Sequence, residues 1–200
     1  MGNLASITQG IATSGKGAGA RAGEWNLRVV ESSDIQADSV QLDGLRTIEV
    51  EQNPRTEKHL LRPYDVLVTA RSQSVKVALV PPQVTRTVAG PTLLVVRPLE
   101  PETGVSQYLW YYLTSQQGRA AVEARVAAGA SIPSLSAAAL GEVEVPIPDS
   151  RKLHVLAELI EASEDAYAAS NAVARLQREV LRDSIIGRVA GHSHTSIGEG

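Results

Sequence analysis

The apolar positions of this chain change their period along its length, and each period predicts a different kind of element. Between Trp25 and Pro98 they come as short, partly alternating, β-branched runs: NLRVV, LRTIEVEQ, LLRPYDVLVTA, VKVALV and TLLVVRP. Period-two runs of this length, separated by Asp-rich or Pro-containing turns, predict short strands. Asn53-Pro54 opens a turn over residues 53–59, because proline biases its predecessor away from the helical region. After Pro101 the spacing becomes nearly helical. Leu109, Tyr112, Leu113, Ala120, Val122 and Val126 predict two short helices broken near Gly118. A Ser-capped short helix around Leu135–Leu140 follows, and then a last strand, EVEVPIP, closed by two prolines. Ahead of all this, residues 1–24 mix one apolar run, LASI, with a Gly-, Ser- and Ala-rich stretch that reads as loop.

From Asp149 or Ser150 to about Ile186 nothing breaks a helix: Pro and Gly are absent, Ala and Leu are frequent, and Gly187 supplies a stop. At 1.5 Å per residue this is a rod on the order of 55 Å long. Val155, Leu159, Ala162, Ala166, Ala169, Val173, Leu176 and Val180 keep a four-three spacing along it, the seam of a coiled coil. A second row, Leu156, Ile160, Tyr167, Ala174 and Leu181, widens that face. Such a helix either lies along its own domain or pairs with a partner helix, and its length favours the partner. The expected organisation is a mixed α+β domain over residues 1–148, a long dimerisation or docking helix over 149–187, and a disordered tail over 188–200.

Composition removes several functions. Cysteine is absent, so there are no disulfides, thiolate metal sites or cysteine nucleophiles. No apolar run approaches the roughly 18 residues of a membrane span, and no signal-peptide pattern opens the chain, which points to a soluble cytoplasmic protein. Phe is absent and aromatics are few, leaving little on which single-stranded bases could stack. The net charge is −3, yet the charge is segregated. Residues 22–51 carry seven acids against two arginines, and residues 52–97 carry seven bases against two acids.

Candidate chemistry is sparse. GIATSGKG, Gly10–Gly17, nearly writes a phosphate-binding loop, but Gly17 stands where Ser or Thr should meet magnesium, and AGARAG is a poor helix start. His192 and His194 lack a third ligand nearby, and His59 and His154 are isolated. No Ser, His and acid grouping stands in a recognisable turn, so nothing calls for an enzyme, a metal or a bound cofactor. Asp65 reads as a turn residue at the start of a strand. The basic block remains: ARSQSVK offers Arg71, Ser72, Gln73 and Lys76 between two strands, with Arg55, Lys58 and Arg86 in neighbouring loops. These are the side chains that reach phosphates and base edges, Arg bidentate to guanine and Gln to adenine. A solvated basic face is the alternative. Lys16 and Arg21 in the Gly-rich loop are further candidates for phosphate.

Taken together, several stretches resemble one family. LRPYDVLVTARS resembles the strand-and-basic-residue segment of target-recognition domains in specificity subunits of type I restriction-modification systems. YLWYYLTSQQGRAAVEARVAAGASIPSLSAAALGEVEVPIPD resembles the segment that follows in such domains, and a long helix comes next in them as it does here. The likeness spans residues 4–186. It implies an α+β DNA-reading domain without catalysis of its own, which docks a DNA adenine methyltransferase subunit carrying S-adenosylmethionine. It also implies duplex DNA as target and a place in a restriction or phage-defence system. Two features depart from the family pattern. One recognition domain and one helix stand where the usual subunit has two of each, so the chain resembles a half-subunit. Leu153 and His154 stand where members commonly carry Gln, which puts the docking contacts of the first helical turn in question. Pairing of the helix with a second copy would restore two domains; the likeness favours antiparallel pairing, hence a bipartite site with inverted halves. A rival reading is an adaptor that docks partners through the helix and does not read DNA, in keeping with a pI near 5.8.

Overall fold

The computed structural model describes residues 1–12, 24–127 and 132–192. Among these residues nine strands are formed: β1 (Ala5–Gln9), β2 (Glu24–Val30), β3 (Ile35–Gln36), β4 (Ser39–Val40), β5 (Arg46–Glu51), β6 (Val66–Thr69), β7 (Val77–Leu79), β8 (Thr87–Ala89) and β9 (Leu93–Pro98). Five α-helices accompany them: α1 (Pro54–Lys58), α2 (Val105–Thr114), α3 (Gln116–Glu123), α4 (Ala137–Gly141) and α5 (Ser150–His192). The class is therefore the expected mixed α+β with short strands, small helices and one long C-terminal helix.

Six strands form one sheet in the order β1-β9-β6-β7-β4-β3, and three form another in the order β5-β2-β8. Most pairs are antiparallel; β2 with β8 and β4 with β7 are parallel. β6 lies inside the larger sheet, and its whole run VLVT is buried, as a strand covered on both faces must be. Leu67 joins a core cluster with Ala78, Leu93 and Val95. α2 packs against β6, β7 and β9 through a face that includes Leu109, Trp110 and Leu113. Each such side chain contributes roughly 1.5–3 kcal/mol by leaving water. A smaller cluster, Leu27, Val29, Ile48 and Val88, holds the three-stranded sheet.

Several local expectations are corrected. LASI is not an isolated run, since Ala5–Gln9 forms a full edge strand on β9 with Ala5 opposite Pro98. EVEVPIP forms no strand: Pro146 and Pro148 cannot donate to a ladder, and the segment is tied instead by the Met1 amine to Val143 O at 2.8 Å and by Tyr108 Oη to Pro146 O at 2.5 Å. Burial, with the neighbouring Tyr112 adding to it, raises that tyrosine above its ordinary pKa. The two short helices break at Ser115, whose Oγ accepts from Gly118 N at 3.1 Å. Gly118 lies inside α3, where a Cβ would fall 2.0 Å from Tyr112 O. The turn at Asn53 winds into α1 because Asn53 Oδ1 accepts from Arg55 N and Thr56 N. Nor does Gly187 stop α5, which continues to His192; a lone helical Gly costs only about 1 kcal/mol. Residues 193–200, the greater part of the expected tail, lie outside the described residues.

The chain divides into two compact units, Met1–Ala157 and Glu158–Gly200, so the first two turns of α5 belong to the globular unit. There Leu153 and Ala157 are buried, and Gly104 makes room for them: a Cβ on it would fall 2.6 Å from Ala157 Cβ.

Candidate nucleic-acid interface and helix surface

The seven bases of residues 52–97 have two different fates. Arg97 is a structural cation: its Nε donates to Asp65 Oδ1 at 2.9 Å and its Nη2 to Asp65 Oδ2 at 2.6 Å and to Leu60 O at 2.8 Å. Asp65, 2% exposed, also accepts from Arg62 N at 2.8 Å and so fixes the turn ahead of β6. Lys76 is engaged as well, donating from Nζ to Ser32 O at 3.0 Å and Ile35 O at 3.1 Å. Arg55, Lys58, Arg62, Arg71 and Arg86 are exposed, and their side chains make no hydrogen bond or ion pair among the described residues.

Arg71, Ser72 and Gln73 occupy the tip of the hairpin that joins β6 to β7. The backbone there is held from inside and outside. Thr69 N donates to Lys76 O and Lys76 N to Thr69 Oγ1, both at 3.0 Å, which narrows the hairpin neck. Ala70 N donates to Thr92 O at 2.7 Å, Leu135 N donates to Ala70 O at 2.8 Å, and Arg71 bridges Ser134. Fixed backbone under exposed, unpartnered Arg71 and Gln73 side chains lowers the ordering cost of binding something rigid.

Arg62 and Arg86 lie at the other end of the same hairpin. Leu61 N donates to Thr87 O at 2.8 Å and Tyr64 N to Val80 O at 2.9 Å, which draws the two segments together. Tyr64 and Arg86 both have left-handed backbones, φ 67° and 45°, a conformation costing about 1–2 kcal/mol for a residue with a Cβ. Arg28 secures Arg86: its N donates to Arg86 O at 2.8 Å and its Nη2 to Thr85 O at 3.0 Å. Arg55 and Lys58 sit on α1, just upstream of Leu60. The four residues of β6, about 13 Å of strand, separate this group from Arg71. The expected contact residues therefore form two separate groups. Arg62, a member of the same basic block, stands exposed in this second group. Lys16 and Arg21, with most of the Gly10–Gly17 loop, lie outside the described residues, as does His194. Among the described residues no group of three or more His, Asp or Glu could hold a metal, and no helix is long and apolar enough to cross a membrane.

On α5 the seam predicted from spacing faces solvent throughout. Val155, Leu159, Val173, Leu176 and Val180 are about half to two-thirds exposed, and Ala162, Ala166 and Ala169 are exposed between them. The face turned inward at the base of the helix is a different one, that of Leu153 and Ala157. Beyond the seam, Leu181, Ile185 and Ile186 are exposed as well.

No family model matches the sequence, and no curated protein matches it. Solved structures do match. A type I restriction-modification S subunit from M. genitalium aligns with 92% of this chain and 42% of its own, at 16% identity and a TM-score of 0.54. The HsdS subunit from Thermoanaerobacter tengcongensis aligns with 99% of this chain and 49% of its own, at 16% identity and a TM-score of 0.56. A chain from a structure concerned with complex assembly and conformational transition of the type I R-M system aligns with 100% of this chain and 50% of its own, at 17% identity and a TM-score of 0.53. The likeness read from the sequence is thus present in the fold, and the chain spans about half the length of the S subunits it matches.

Proposed function

We propose that this chain is a non-catalytic DNA-specificity module of a type I-like modification system, reading duplex DNA with its globular unit and docking a DNA adenine methyltransferase through α5. The observation that carries this reading is the hairpin tip of a specificity-subunit fold, where exposed Arg71 and Gln73 stand on an anchored backbone. Arg71, Ser72 and Gln73 are the base-edge and phosphate contacts in this reading. Arg55, Lys58, Arg62 and Arg86 follow the backbone, with Lys16 and Arg21 as further phosphate contacts. Lys76 acts from beneath by holding the neck of the tip.

The seam on α5 pairs with the same seam of a second copy. Its spacing is symmetric, so antiparallel pairing sets Val155 against Val180, Leu159 against Leu176, Ala162 against Val173 and Ala166 against Ala169. The alanines at the centre favour close axes, near the lower end of the usual 8–10 Å. Charge supports the same direction. Glu158, Glu161, Glu164 and Asp165 outweigh Arg151 and Lys152 in the first half, and Arg175, Arg178, Arg182 and Arg188 outweigh Glu179 and Asp183 in the second. Antiparallel pairing brings unlike halves together, and parallel pairing would oppose like charges. Two identical readers at opposite ends of the rod imply a target with inverted halves and an unread spacer.

The test is to map methylated adenines in cells that co-express the chain with an adenine methyltransferase subunit. A single bipartite inverted motif that relaxes at defined positions in Arg71→Ala is expected. Co-purification of the two proteins with no motif would leave the adaptor reading standing instead.

A further inference from the structure

The turn between β3 and β4 is strained and firmly anchored, a combination that closing a hairpin does not by itself require. Ala37 and Asp38 both have left-handed backbones, φ 48° and 60°, the geometry of a two-residue hairpin turn that Asn, Asp and Gly adopt most readily. Asp38 suits it; Ala37 takes it at a cost of about 1–2 kcal/mol. Bonds from α2 and α3 hold the turn in place. Arg119 Nη2 donates to Asp38 Oδ1 and Oδ2, each at 2.9 Å, and Trp110 Nε1 donates to Asp38 O at 2.9 Å. Arg119 is itself fixed, its Nε donating to Thr114 O at 2.8 Å. At the open end of the hairpin, Gln41 N donates to Asp34 O at 2.8 Å.

Next to this turn stands Gln36, opposite Ser39 in the hairpin. Gln36 is exposed, and its side chain makes no hydrogen bond or ion pair among the described residues. It lies close to the neck of the β6–β7 hairpin. Lys76 Nζ donates at 3.1 Å to Ile35 O, the carbonyl of the peptide bond that leads into Gln36, and at 3.0 Å to Ser32 O. One ammonium thus ties the two hairpins together. The segment belongs to the acidic block, yet its acids are matched by bases. Glu31 meets Arg46 at 3.1 Å and Asp38 meets Arg119. Asp34 accepts from Glu31 N at 2.8 Å, in the same short turn whose Ser32 carbonyl holds Lys76. Three carboxylates stand against three bases, so a polyanion can approach Gln36 without meeting a net negative charge.

We propose that Gln36 is a second base-reading residue, contacting an adenine in the same half-site as the base pair read from the Arg71 tip. This rests on the duplex-reading role proposed above and adds a contact from the acidic block, which a count of charges would pass over. A primary amide carries the donor and acceptor that match adenine N7 and N6 in the major groove. Arg119 and Trp110 are positioning residues: they set the turn that aims Gln36, and a preset turn has little order left to gain on binding.

The test uses the full chain with a co-expressed adenine methyltransferase subunit, on duplexes of the mapped motif in which each adenine in turn is replaced by 7-deazaadenine, which lacks the N7 acceptor. One position is expected at which the replacement weakens the parent complex about tenfold and weakens the Gln36→Ala complex no further. Methylation by Gln36→Ala is expected to relax at that same position and to keep the position set by Arg71. Arg119→Ala is expected to relax it too, whereas a mere loss of stability would lower methylation at every site alike. An unchanged motif and 7-deazaadenine profile in Gln36→Ala, with Arg71→Ala relaxed, would overturn the role of Gln36 and leave the reading function standing. Equal weakening on every duplex in Gln36→Ala would mark a phosphate contact and overturn the base contact. A parent complex with no motif at all would overturn the reading function and this proposal together.

Discussion

Leu67 and Leu176 are the same residue used in opposite ways. Leu67 is fully buried in the larger sheet, and Leu176 is 61% exposed on α5. The globular unit spends its aliphatics on its own core, whereas the helical unit keeps Val173, Leu176, Val180, Leu181, Ile185 and Ile186 in water. An exposed apolar row of this length is unusual on a folded chain, and the proposed pairing of α5 would cover its seam residues.

Substitutions can break this contrast, and the largest effects belong to the globular unit. Asp65→Ala strands the Arg97 guanidinium and the Arg62 amide, and should cost about 3–5 kcal/mol in urea denaturation. Leu67→Ala should cost about 2–5 kcal/mol by the same measurement. Neither should alter pairing of the intact fraction; if either abolished dimerisation at concentrations where the fold survives, the two units would not be independent. Arg71→Ala should lose about 1–3 kcal/mol of discrimination between cognate and altered duplex, with folding unchanged. Arg55→Ala should weaken all duplexes alike and flatten the salt dependence. In the helical unit, Leu159→Glu with Leu176→Glu should leave the stability of the globular unit in urea within about 0.5 kcal/mol and convert the proposed dimer to monomer by light scattering.

The smallest effect lies at the start of α5. Asp149 Oδ1 accepts from Lys152 N and its Oδ2 meets Lys152 Nζ, both at 3.0 Å. The Lys152 side chain first, and then its backbone amide, hold the carboxyl below its ordinary pKa. A lowered folded value means that this cap is fully present above the unfolded aspartate pKa of about 3.9 and is lost as pH falls through the folded value. The protection of the Lys152 amide from exchange, relative to its intrinsic rate at each pH, should therefore fall in acid, and Asp149→Asn should keep the cap and remove that fall.

Much of this was written locally. The β-branched runs fixed β2, β5, β6, β7 and β9, because alternation and branching act within a strand. The four-three spacing of α5 determined both the helix and the face it exposes, since periodicity needs no partner to be legible. What tertiary structure decided was everything that depends on distant neighbours. Ala5–Gln9 becomes a strand only because Leu93–Pro98 offers an edge, and EVEVPIP fails to become one because its prolines leave no ladder to complete. The basic block read as one set, yet β6 divides it, and Lys76 and Arg97 are consumed by carbonyls and a carboxylate from distant segments. A sequence states which residues are charged; which charges remain unspent is decided by what the folded chain brings beside them.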